Sequence, residues 1–268
     1  MRVKIKLLFL LFLTTIISCT VLKNQKSTHE GDLIKVMTYN VHHCNPPGTE
    51  NIDVDAIANA IKGQNADLVA IQEVDVNTHR SGGIDEPHLL ALKAGYPYYY
   101  FGKAMDFDGG KYGIMILSKY LLTDTQTYAL PSANISKDEP RILAAATVNL
   151  PDGKVLRFGS THLEAFNKSS RILQAKEISR IAGTTTLPFI VAGDFNDHED
   201  SETIGILKTV FAKTCEKCPP TFNEEGDSGA IDFIMFSPKD EFKIVSHSVK
   251  QEILTSDHFP VVSELKWR

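Results

Sequence analysis

Short apolar runs that end on polar residues recur along the chain, and their spacing predicts alternating strands and helices. Ile34 to Tyr39, Leu68 to Ile71, Val155 to Ser160 and Phe189 to Ala192 suit buried strands. Between the first two, Asp53 to Lys62 is predicted helical, capped by Asp53, with Val54, Ile57, Ala58 and Ile61 on one face. A second helix is expected over His88 to Lys93, then extended chain over Tyr98 to Phe101, Gly113 to Ser118 and Thr123 to Leu130. Ile142 to Leu150 and Lys154 to Ser160 flank Pro151-Asp152-Gly153, which predicts an antiparallel hairpin. A helix with the stripe Ile172, Ala175, Ile178 and Ile181 is expected to be capped by Ser169 or Ser170 and ended by Gly183. Glu202 to Phe211 follows as a helix, and Asp232 to Phe236, Phe242 to His247 and Val261 to Leu265 as strands. Hairpins interspersed with helices, and strands nearly all apolar, predict an α/β sandwich of two mixed sheets with helices outside.

The polar ends change this from a fold pattern into a site pattern. Asn40, Gln72-Glu73, Thr161-His162, Gly193-Asp194-Phe195-Asn196, Asp232 and Ser256-Asp257-His258 each close or follow an apolar run, and one edge of the sandwich is expected to collect them. Glu73 leaves a dry strand, and a carboxylate there calls for a cation. Oxygen ligands from Asn40, Glu73 and Asp257 suit Mg²⁺ or Mn²⁺. Asp194 is placed to orient an attacking water, and Asn196 to steady it or a phosphate oxygen. His258, stiffened by Phe259-Pro260, forms a general acid/base pair with Asp232. His162 is suited to donate to a phosphoryl oxygen, and Arg141 either to fork a phosphate or to pair with Glu139 at the surface.

Charge and leader narrow the setting. Arg2, Lys4 and Lys6 precede the apolar run Leu7 to Ile17, and Ser18-Cys19 follows, as in a bacterial lipoprotein leader. The expected organisation is a signal peptide over 1–18, a polar tether over 19–31 and a catalytic domain over 32–268. The mature protein is then exported and membrane-anchored through lipid on Cys19, and a monomer is expected. Loss of the leader leaves 25 basic against 33 acidic residues, a net charge of about −8, with no basic cluster for tracking a polynucleotide. Cys215 and Cys218 favour a local disulfide in an exported chain, with free thiols and a redox or metal role as alternatives.

Met37 to His43, Ile71 to Asp75, Ser160 to Leu163, Val191 to Asn196, Ile231 to Ile234 and Ser256 to Pro260, in that order, resemble the motifs of the endonuclease/exonuclease/phosphatase superfamily. The resemblance implies a four-layer α/β sandwich, with Asn40, Glu73 and Asp257 serving the metal, Asp194 and Asn196 the nucleophile and phosphate, and Asp232 orienting His258. It implies a phosphate-contacting role for His162. Thr78 to Gly82 and His42-His43 resemble a small-hydrolase subgroup, which places Arg80 and His43 at the cleft. The chain departs from the pattern at Ile114, where many members carry Asn, and at Ala230, where they carry Arg or Lys. The expected activity is hydrolysis of a phosphodiester, of lipid or another small compound. Nuclease and phosphomonoesterase activity are the alternatives within the class, and a non-catalytic phosphate-ligand binder the alternative outside it.

Overall fold

The computed structural model describes residues 33–223 and 229–268. The expected leader and tether over 1–31 lie outside the described residues. Two mixed six-stranded sheets stack face to face, as expected from the alternation of hairpins and helices. The first has the order β11 (Phe242–Val249), β12 (Val261–Trp267), β1 (Leu33–Asn40), β2 (Leu68–Val76), β4 (Gly110–Ser118) and β3 (Tyr98–Phe107). The second runs β5 (Leu121–Ala129), β6 (Ile142–Asn149), β7 (Val155–His162), β8 (Phe189–Asp194), β10 (Asp232–Ser237) and β9 (Ala212–Lys213). At the centre of each sheet lies a parallel pair, β1 with β2 and β7 with β8. A helix lies between the paired strands in sequence, α1 (Val54–Gln64) in the first case and α3 (Lys168–Ala182) in the second.

Strand parity builds the layers. Met37, Tyr39, Val69, Ile71, Met115 and Leu117 pack in one apolar cluster with Ile57 and Ile61 of α1 and Leu90 of α2 (Glu86–Ala94). Their neighbours Ile34, Val36, Leu68, Ala70 and Ile116 point the other way, into a second cluster with Leu156, Phe158, Ile190, Ala192, Ile234 and Phe236 of the opposite sheet. Phe189, Val191, Phe233 and Met235 complete the pattern against α3 and α4 (Glu202–Val210). Each such side chain taken out of water contributes about 1.5–3 kcal/mol. Since the central strands are covered on both faces, their near-continuous apolar character follows.

Several local expectations shift. The cap of α3 is Asn167, whose side chain accepts from the amides of Ser169 and Ser170, while Ser170 Oγ turns instead to Asp138. Ser169 and Ser170, the expected caps, are thus inside the helix. The strand expected over Leu68 to Ile71 continues as β2 to Val76, through a bulge. The segments read as Tyr98 to Phe101 and Gly113 to Ser118 belong to one long hairpin, turned by Asp108 (φ 45°) and Gly109 (φ 81°). Cys215 and Cys218 are joined as a disulfide with Cα atoms 5.3 Å apart, as expected, and Cys44 is buried as a free thiol. Among the described residues no helix is long and apolar enough to cross a membrane.

The close approach of β7 and β8 depends on Gly193, where a Cβ would drive into the Thr161 carbonyl. Gly193→Ala is therefore expected to cost about 1–3 kcal/mol through forced separation of these strands. Chemical denaturation checks this; an unchanged midpoint would mean that the pair tolerates the extra carbon.

Candidate active site

The site continues the inward face of the sandwich beyond its apolar core. On β1 the inward positions Ile34 and Val36 are followed by Thr38 and Asn40; on β8, Ile190 and Ala192 are followed by Asp194. By the same count His162 extends the inward face of β7, and Asp232 that of β10. Register then aligns His162, Asp194 and Asp232 in one row across three neighbouring strands. Glu73 breaks the alternation. Ile71 and Val74 both pack toward the helices, so the bulge between them inserts one residue and re-aims Glu73, at φ 58°, toward the cleft. Left-handed backbone at a non-glycine residue costs on the order of 1 kcal/mol or more, and such strain gathers at functional sites.

Asp194, 1% exposed, is the hub. Its Oδ1 accepts from the Asn196 amide at 2.8 Å, and its Oδ2 accepts from Asn40 Nδ2 at 3.1 Å. The Nε2 atoms of His162 and His258 stand 3.5 and 3.6 Å from that Oδ2. Burial, reinforced by the neighbouring Asp232 carboxylate, pushes the Asp194 pKa up, so a proton is easily received there. His258 Nδ1 lies 2.9 Å from Asp232 Oδ2. Burial opposes charge on this ring, but Asp232 and Asp194 overcome it and raise its pKa, which holds His258 as imidazolium.

His162 is tuned the opposite way. Burial, with Arg141 and His258 nearby, pulls its pKa well down and keeps it neutral. Arg141 Nη1 sits 3.0 Å from His162 Nδ1, and a guanidinium can only donate. The His162 proton therefore resides on Nε2, on the side of Asp194. Arg141 is buried and also pairs with the half-exposed Glu139 at 3.1 Å, so the pair anticipated at the surface forms at the cleft with only its arginine covered.

A cleft of about 540 Å³ opens over these groups, lined by Glu73, Asp257, Asn196 and Arg141 in addition to His162, Asp194 and His258. Arg80 lines it too, its Nε and Nη2 donating to Asp75 at 2.6 and 2.9 Å and its plane 4.5 Å above Phe107. Beneath it Glu86 accepts from the Asp75 amide and from Ser81 Oγ. His43, expected at the cleft, is not among the residues lining it; the turn His42–Cys44 groups it with His42 and Glu73 instead. Phe222, which no motif indicated, packs against the His258 ring at a tilt of 54°, with 4.7 Å between centroids. Phe166 stands at the cleft rim 97% exposed.

The donor set fits a hard divalent cation. Neither Glu73 nor Asp257 forms an ion pair among the described residues, and Asp232 Oδ1 is buried without a hydrogen bond, so the site carries carboxylate charge that its neighbours leave unpaired. Asn40 differs from its expected role as an oxygen ligand. Its Oδ1 accepts from the His42 amide at 3.1 Å while Nδ2 donates to Glu73 and Asp194, so the amide must turn before its oxygen meets a cation.

A profile described as the Endonuclease/Exonuclease/phosphatase family matches residues 37–258. The chain belongs to that family, whose members are hydrolases acting on phosphoester bonds. No curated protein sequence matches significantly. Among solved structures, an endonuclease/exonuclease/phosphatase from Beutenbergia cavernae is 23% identical with TM-score 0.75, over 88% of this chain and 72% of that one. A Bacteroides thetaiotaomicron mannosyl-6-phosphatase is 21% identical with TM-score 0.67, over 87% and 100%. The human nocturnin catalytic domain is 17% identical with TM-score 0.68, over 88% and 95%. These likenesses share the fold.

Two expectations follow from the electrostatics. Burial raises the Glu86 pKa from 4.5 to about 8, against the pull of the Asp75 amide. Unfolded Glu86 ionises first, so stability falls as pH rises from about 4.5 to 8 and levels off above, by on the order of 5 kcal/mol. Glu86→Gln should remove most of that slope in melts taken across this range; a parallel slope in the variant would refute it. Asp232→Asn should lower the His258 pKa, read by NMR, and reduce turnover by about 10²- to 10⁴-fold.

Proposed function

We propose that this chain is an exported, lipid-anchored, Mg²⁺- or Mn²⁺-dependent phosphoesterase that hydrolyses phosphodiester bonds in lipid or other small substrates, acting as a monomer. The observation that carries the reading is Asp194, a buried carboxylate with raised proton affinity set among His162, His258 and Asn40. A water bonded to Asp194 attacks phosphorus in line and passes its proton to that carboxylate. Neutral His162 donates its Nε2 proton to a phosphoryl oxygen as charge builds. The imidazolium of His258, oriented by Asp232, supplies a proton to the leaving oxygen. Glu73 and Asp257 would hold the cation, joined by Asn40 once its amide turns. When bound, the cation polarises the phosphoryl group and offsets charge in the transition state.

Charge accounting supports a diester. Arg80 is matched by Asp75, and Arg141 by Glu139, so the cleft has little spare positive charge for a dianionic monoester. The apolar rim of Phe107, Phe166 and Phe222 suits a substrate with apolar groups. An acidic chain without a basic track is poorly suited to long nucleic acids. The disulfide between Cys215 and Cys218 is in keeping with an oxidising compartment.

A second reading, phosphomonoesterase, is favoured by the fold neighbour named as a mannosyl-6-phosphatase. A panel of bis(p-nitrophenyl) phosphate, phospholipids, mannose 6-phosphate and plasmid DNA, with Mg²⁺, Mn²⁺ or EDTA, separates the readings. Metal-dependent diester turnover is expected, reduced at least ~100-fold in Glu73→Gln and Asp194→Asn. Turnover of the monoester alone would replace the diesterase reading. Binding without turnover across the panel would replace it with a non-catalytic role.

A further inference from the structure

Two imidazoles converge on Glu73 from the turn that follows β1. One ligand atom from each of His42, His43 and Glu73 lies within 4.8 Å of the other two. The turn that brings them together is unusual: His42, His43 and Cys44 have φ of 46°, 42° and 56°, three left-handed residues in succession, none of them glycine. It is held by the Asn45 amide donating to the His42 carbonyl at 2.8 Å and the Asp53 amide to the Cys44 carbonyl at 2.7 Å. Such a run persists only where its surroundings over-determine it.

The polar atoms of the group have unused capacity. His42 Nδ1 is 3.2 Å from the Asn45 carbonyl, which can only accept, so the proton sits on Nδ1 and Nε2 keeps its lone pair. An imidazole tied to a carbonyl through one nitrogen is oriented for a metal at the other. His43 Nδ1 is buried without a hydrogen-bond partner, a state that asks for a ligand or a proton acceptor. Asn40 Nδ2 donates to Glu73 Oε1 at 2.9 Å, while Oε2 makes no hydrogen bond among the described residues.

We propose that His42, His43 and Glu73 form a second cation site, selective for a transition-metal dication such as Zn²⁺, Co²⁺ or Mn²⁺ and sharing Glu73 with the oxygen-ligand site of Asp257. Two imidazoles and one carboxylate suit these borderline cations and are a poor set for Mg²⁺, which prefers oxygen and keeps its waters. Three protein ligands leave positions open toward the cleft that Glu73 lines.

Cobalt titration of the purified chain under excess Mg²⁺ tests the site by a readout other than activity. Visible d–d absorption saturating at one equivalent and displaced by Zn²⁺ is expected. His42→Gln and His43→Gln should each weaken Co²⁺ binding about 10- to 100-fold, with far-UV circular dichroism verifying that each variant is folded. Asp232→Asn, which alters the other carboxylate–histidine group, should leave Co²⁺ affinity unchanged. No visible band in the wild type, or unchanged affinity in both histidine variants, overturns the proposal. Loss of the band in Asp232→Asn with retention in His43→Gln overturns it as well, placing the cation on Asp194, Asp232 and His258. Because the measurement is cation binding, it stands apart from whether the substrate is a diester.

Discussion

Everything at the cleft depends on surrounding one buried carboxylate of raised proton affinity with enough donors to let it ionise. Asp194 belongs to one sheet and Asn40, which donates to it at 3.1 Å, to the other. An unpaired carboxylate at 1% exposure would be strongly disfavoured, and the donors around it come from both halves of the sandwich. The geometry around Asp194 is therefore set by the stacking of the two sheets. A change in their separation would leave Asp194 short of a donor before it disturbed any loop.

The same stacking explains what lies under the site. Between the dry inter-sheet core and Asp194, Thr38 Oγ1 donates to Gln72 Oε1 at 3.2 Å, and Gln72 Nε2 donates to Ser160 Oγ at 3.2 Å. All three residues are fully buried. This polar layer crosses from the first sheet to the second and grades the interior from hydrocarbon to ionised groups. Fully satisfied buried networks of this kind fix one arrangement where apolar packing would allow several. Sheet alignment and site alignment thus share one set of hydrogen bonds.

That coupling also explains what the chain revealed before folding. Parity is local, so polar residues continuing an inward apolar face, such as Asn40 after Val36 and Asp194 after Ala192, were legible as a converging set. The two mixed sheets followed from the same alternation and from turn residues. The bulge at Glu73 was not legible, because it appears only when Val74 is seen to share a face with Ile71. The hairpin of β3 and β4 was read short, although Asp108-Gly109 is a turn signal, because its distal strands are half-exposed and lack alternation. Asp75 lay within a recognised motif, yet its bidentate hold on Arg80 and its dependence on Glu86 needed three dimensions. Phe222 gave no signal: it reaches His258 through an isolated bridge from a loop, and loops carry no period.

Chemistry and selection consequently rest on different kinds of structure. His162, Asp194 and Asp232 stand on neighbouring strands anchored in the core, and His258 is held to them from the loop before β12 by Asp232. Arg80 stands on a connection after β2 and is aimed by a carboxylate below it, by Phe107 beside it and by Asp108, which accepts from its amide at 2.6 Å. Two of its side-chain donors are engaged by Asp75, so what it offers the cleft is an oriented remaining edge with its charge already balanced. A balanced arginine discriminates by geometry more than by attraction. The cleft edge thus takes its shape from Arg80 and the aromatic rim, whereas His162, Asp194 and Asp232 take theirs from strand register.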